Sequence, residues 1–309
     1  MKFILSLLLC LCFSLPAQAT ANQPRELTAT VFPVWLILHE VTRDVPSVNV
    51  SLLLPAASGC PHDYAMTPND RRRLAKADVL VINGLGLESF LGNDNNMKSL
   101  MKPGAAIINA SKGITGLLHS KGHTHDNKGH GHTCGSNPHI FVAPSMMAQM
   151  ALSVSSQLAK LDPAHAALYD TNGKKAAARL EALASEAKSA GDKLASRAVI
   201  AQHDIFDYLA RDIGLSVKAH IQPHDGQEPS ARGMLDLVRL IRSHKVAAVL
   251  TEPQYPARAG RTLAAETGIP CLELDPAANG PDDLNSPLDW YENLMRSNLR
   301  TLEQALGTR

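Results

Sequence analysis

An excess of charge of either sign is missing from this chain: 30 Lys and Arg stand against 29 Asp and Glu over 309 residues. A net charge of +1 supplies no basic field, which argues against nucleic-acid binding as the main task. No run of about 20 apolar residues follows the N-terminal region, so no membrane span is expected in the mature chain. Disorder is excluded as a whole-chain description, because charged residues make up only 19% and hydrophobic residues 45%. Cysteine is sparse, with five in all. Histidine is the residue in surplus: there are 13, and five of them fall between His119 and His132.

Residues 1–19 read as a secretory signal. Lys2 gives the positive start, Phe3 to Leu15 form the apolar stretch, and Ala17-Gln18-Ala19 is a small-residue cleavage site. Cys10 and Cys12 leave with it, and Leu9 stands where lipoprotein processing at Cys10 needs a small residue. The mature chain, residues 20–309, is then periplasmic and keeps Cys60, Cys134 and Cys271 in an oxidising compartment.

Short apolar runs alternate with helical patterns. Leu27–Val31, Val48–Leu54, Val79–Ile82 and Ala105–Asn109 read as strands, and so do Ala198–Ala201, Ser216–Ile221, Val246–Thr251 and Cys271–Leu274. This alternation predicts an α/β fold of two lobes, each with a four-stranded, mainly parallel sheet flanked by helices. The expected division is an N-terminal lobe over 20–158, a linking helix over 159–194 and a C-terminal lobe over 195–309. Asp162-Pro163 reads as the start of that helix, with Gly173 a candidate break. Thr67-Pro68-Asn69-Asp70 reads as a capping box opening an earlier helix.

The segment 119–136, HSKGHTHDNKGHGHTCGS, carries His119, His123, His125, His130 and His132 and no aliphatic residue. It reads as a surface loop forming an auxiliary metal site. Four further positions each follow a predicted strand: His62, His139, His203 and Asp275. Ligands in open parallel sheets bind beyond the carboxyl ends of strands. If the lobes face each other, three imidazoles and a carboxylate converge, a sensible tetrahedral zinc set at ~2.0–2.2 Å.

Pro61-His62-Asp63-Tyr64 with Thr67-Pro68-Asn69-Asp70 resembles the "PHDYEPTPSD" signature of the cluster A-I metal-binding proteins of ABC uptake transporters. Asn137-Pro138-His139 is similar to that family's "DPHxW", with Asn in place of Asp. Gln202-His203-Asp204 through Phe206 resembles "SHDAFxYF", and Thr251-Glu252-Pro253-Gln254 and Leu274-Asp275-Pro276 follow in matching order. The resemblance implies two α/β lobes joined by one long backbone helix and a divalent metal held between them. His203 and the His-rich loop resemble the zinc-specific branch, and three imidazoles suit Zn²⁺ better than Mn²⁺.

These readings lead to a monomeric binding protein that captures Zn²⁺ and docks on a membrane permease of an ABC transporter. A manganese-specific protein of the same family and a secreted zinc hydrolase are the alternatives. The hydrolase lacks an HExxH helix and an obvious general base. The fourth ligand stays open between Asp275, water and a Cys60 thiolate, with Glu252 expected in the hydrogen-bond network. Cys60 and Cys134, each close in sequence to a proposed ligand, are expected to form a disulfide and leave Cys271 free.

Overall fold

The computed structural model describes residues 25–59, 61, 64–119, 135–222, 227–281 and 286–308. The signal segment lies outside these, as do Cys60, His62, Cys134 and four loop histidines, His123, His125, His130 and His132.

Eight strands form where short apolar runs are bounded by breakers. β1 (Arg25–Ala29), β2 (Val48–Leu52), β3 (Val79–Ile82) and β4 (Ala106–Asn109) make one parallel sheet in the order β2-β1-β3-β4. β5 (Ala198–Ala201), β6 (Ser216–His220), β7 (Ala248–Thr251) and β8 (Cys271–Glu273) make a second, in the order β6-β5-β7-β8. Every pairing within both is parallel. Strands β3 and β7 are buried at every residue because helices cover both faces. In each sheet the winding direction changes between the two central strands, β1 and β3 or β5 and β7. The crevice beyond their carboxyl ends is where such a fold places a ligand.

The helices are α1 (Phe32–Val41), α2 (Pro68–Leu74), α3 (Asp94–Leu100), α4 (Pro144–Leu161), α5 (Ala166–Asp192), α6 (Asp207–Ile213), α7 (Ala231–Ser243), α8 (Arg258–Thr267) and α9 (Pro287–Leu306). The capping box opens α2 as its sequence requires: Thr67 Oγ1 accepts from the Asp70 backbone N–H, and the Asp70 carboxylate accepts from that of Thr67.

The expected long linking helix is present as α5, though it starts later than the Asp162-Pro163 pair suggests. Asp162 caps no long helix; Pro163–His165 make one tight turn, and α5 starts at Ala166. The Asp162 carboxylate is taken instead by His165 Nδ1 at 2.9 Å and the Tyr169 hydroxyl at 3.2 Å. The turn folds α4 back on α5 as an antiparallel hairpin. The 27 residues of α5 span about 40 Å without interruption at Gly173. The glycine serves close approach: a Cβ there would overlap the Ser155 side chain on α4. On its other flank α5 meets α9 through Arg179–Glu292 at 2.9 Å, Arg296–Glu186 at 2.8 Å and Lys193–Glu303 at 3.0 Å.

One apolar core runs through both lobes, from Leu27 and Leu80 to Val199 and Leu250. A smaller cluster, including Ile241, Val249 and Leu263, lies beneath α7 and α8. Phe32 meets Trp290 edge-on at 5.3 Å, and the backbone N–H of Gly280 donates to Ala56 O at 3.0 Å.

Candidate metal centre

Strand β5 ends at Ala201 and delivers Gln202 and His203 to the crevice; the neighbouring β7 ends at Thr251 and delivers Glu252. His203 and Glu252 are 2% and 1% exposed, and His203 Nδ1 lies 2.6 Å from Glu252 Oε1. A carboxylate set beside one ring nitrogen of a histidine is the arrangement that orients such a ring when its other nitrogen takes a metal ion.

His139 arrives from the other lobe, at the head of the tight turn Ile140–Val142, and is 1% exposed. Asn137 Oδ1 accepts from its backbone N–H at 2.8 Å and lies 3.0 Å from its Nδ1. An amide oxygen only accepts, so the imidazole carries its proton on Nδ1 and presents Nε2. The two rings stand 5.1 Å apart at 81°, walled by Phe141 beside His139 and Tyr255 beside His203.

Among the described residues, His139, His203 and Asp204 form the group able to hold an ion, with one ligand atom from each within 4.8 Å of the others. Asp204 Oδ1 also lies 3.3 Å from His139 Nδ1. Sequence reasoning missed Asp204 as a site residue; its only signal is its place directly after His203. A cavity of about 10 Å³ adjoins the group, lined by Pro61, His139, Phe141, Ile205 and Glu252 among others. Pro61 brings the chain to this cavity one residue before His62, which itself lies outside the described residues.

Asp275 stands beyond β8, outside the three-residue group. Its carboxylate accepts from the Ala277 backbone N–H at 2.9 Å and from the Gln254 side chain, while α9 holds its backbone through Asn298. Burial pushes its carboxyl above the usual carboxylate range, helped by the nearby Glu252 and Glu273 and opposed by those hydrogen bonds. His119 is exposed and bridges to Ser136 across the base of the His-rich segment. Cys271 is a free, half-buried thiol 3.8 Å from Thr251 Oγ1.

Comparison with known proteins agrees with this architecture. The family described as "ZnuA: Zinc-uptake complex component A periplasmic" matches residues 27–305. The "High-affinity zinc uptake system protein ZnuA" of Bacillus subtilis is 26% identical over 280 residues, covering 90% of this chain and 86% of that one. A "Putative metal-binding protein" of Treponema pallidum is 28% identical over 298 residues, covering 94% and 92%. A crystal structure of ZnuA superposes with a TM-score of 0.77 at 28% identity, covering 92% of this chain and all of that one. With two four-stranded parallel lobes, a buried His139–His203 pair between them and a family match over nearly its whole length, the chain belongs to the family of periplasmic component A proteins of zinc-uptake complexes.

Proposed function

We propose that this chain is the periplasmic zinc-capturing protein of an ABC uptake system, holding Zn²⁺ between its lobes and handing it to a membrane permease. The observation that carries the reading is the pair of buried imidazoles, one from each lobe, each with a side-chain oxygen within 3.0 Å of Nδ1. That is the arrangement by which proteins orient histidine toward a metal. His62, His139 and His203 supply the nitrogen ligands. The fourth position goes to a carboxylate: Asp275 on the strand-end pattern, or Asp204 on its nearness to His139 and His203.

The secreted-hydrolase alternative fits less well. The cavity beside His139 and Glu252, about 10 Å³, is of the size that holds an ion or one water. Among the described residues no helix is long and apolar enough to cross a membrane, consistent with a protein that travels to its permease.

Competition of purified mature protein against a zinc chelator, with Mn²⁺ as rival ion, tests the reading. One tight Zn²⁺ site that excess Mn²⁺ does not displace is expected. It should be lost in His139→Ala and His203→Ala, and weakened in either Asp275→Asn or Asp204→Asn, whichever carboxylate is the ligand. Preference for Mn²⁺, or tight zinc binding that survives both histidine substitutions, would overturn it.

A further inference from the structure

We infer that Asn137 is a positioning residue of the zinc site: it fixes the metal-facing nitrogen of His139 and ties that histidine to the segment of the opposite lobe that carries His203. The inference rests on the zinc-binding reading above. Asn137 is fully buried, and each of its four polar groups is engaged. Its Oδ1 serves the backbone N–H and Nδ1 of His139. Its Nδ2 donates to the carbonyl of Asp204 at 2.7 Å, one residue beyond His203. Its own carbonyl accepts from the Tyr208 hydroxyl on α6 at 2.8 Å, and its N–H donates to Leu118 O at 2.7 Å. Tyr208, equally buried, also accepts from the Leu118 N–H at 3.0 Å. One phenol therefore clamps both feet of the His-rich segment, Leu118 and Asn137, to the C-terminal lobe. The next residue is held too, since Asn83 Nδ2 donates to Pro138 O at 3.0 Å.

A side-chain amide accepts from the imidazole N–H on one atom and donates to the carbonyl from another, which a carboxylate cannot do. The signature that this segment resembles has Asp at this place. An aspartate would keep the acceptor for His139 but would set a carboxylate oxygen against the Asp204 carbonyl. The asparagine converts a ring-orienting acceptor into a bond between lobes. His139 and His203 are then preset relative to each other, and an incoming ion orders less of the protein.

The test uses the mature protein with Asn137→Ala, Asn137→Asp and Tyr208→Phe. Zn²⁺ affinity is read by chelator competition, the visible spectrum of Co²⁺ added below one equivalent reports ligand geometry, and thermal unfolding of the metal-free forms is the control. Asn137→Ala should lose about tenfold to a hundredfold in Zn²⁺ affinity, the range for residues that orient metal-binding histidines. Its Co²⁺ bands should shift. Asn137→Asp and Tyr208→Phe should lose less, each with a shifted Co²⁺ spectrum, and they carry the test if the alanine variant does not fold. Wild-type affinity in all three would overturn the inference. So would weaker binding that follows lowered thermal stability with an unchanged Co²⁺ spectrum, since that marks a merely structural residue. A wild-type chain without tight zinc binding would instead overturn the proposed function, and this inference with it.

Discussion

Glu252 is 1% exposed, and its Oε1 lies 2.6 Å from Nδ1 of the His203 imidazole. A carboxylate so placed raises the basicity of the ring it faces and fixes its tautomer. Glu252→Gln keeps the shape but removes the charge, so Zn²⁺ affinity should fall about tenfold to a hundredfold while the fold persists. Chelator competition checks this, and an unchanged affinity would leave Glu252 with no part in orienting His203. His139, His203 and Glu252 stood out in the sequence because they fall in ordered motifs, and the last two closely follow strands. Asn137 and Asp204 sit in the same motifs, but the contact between them was not readable there, because it crosses between lobes remote in sequence. The Asn137 amide reaches Asp204 across 67 positions.

Helix α2 shows a local signal surviving intact into structure. The Asp70 carboxylate accepts from Thr67 N, Thr67 Oγ1 and the Tyr64 hydroxyl at 2.7–2.8 Å. Burial alone would raise its pKa, but these hydrogen bonds outweigh it and hold the carboxyl below its usual range. A depressed carboxylate contributes stability that is present above the unfolded-state value of about 3.9 and is lost as pH falls through the folded one. Asp70→Asn should therefore cost about 1 kcal/mol at pH 7, and the gap to wild type should narrow as the pH falls through and below the usual carboxylate range. Denaturant melts at pH 7 and below that range decide it, and a gap independent of pH would contradict the assignment.

Gly173 is the opposite case, where a local signal for a break is overridden by packing. Alanine favours a helix interior by about 1 kcal/mol, yet Gly173→Ala should destabilise by about 1–3 kcal/mol because its methyl meets Ser155. Adding Ser155→Gly should recover most of that loss in a double-mutant cycle. Stabilisation by the single change would mean that α4 and α5 do not approach so closely. Strands were readable at this scale because burial on both faces requires short apolar runs. Helix α1 was not, since Phe32–Val41 is buried on almost every side and has no polar face to give a period.

In the molecule as a whole, two sheets of the same strand order share one apolar core, so the lobes are not beads on a tether. The α4–α5 hairpin, the α5–α9 ion pairs and the Phe32–Trp290 contact oppose a wide hinge. Solution scattering from metal-free and zinc-loaded protein should therefore give superimposable curves. A marked fall in radius of gyration on loading would show lobe closure that this packing does not allow.

The central claim, a histidine-rich zinc centre formed by residues of both lobes, is tested most directly by zinc X-ray absorption on protein loaded with a single equivalent. A shell of nitrogen and oxygen at about 2.0–2.1 Å with outer scattering from three imidazoles is expected, and one imidazole should disappear in His203→Ala. A sulfur shell near 2.3 Å, which would place Cys60 on the ion, or a spectrum unchanged by His203→Ala would contradict the account.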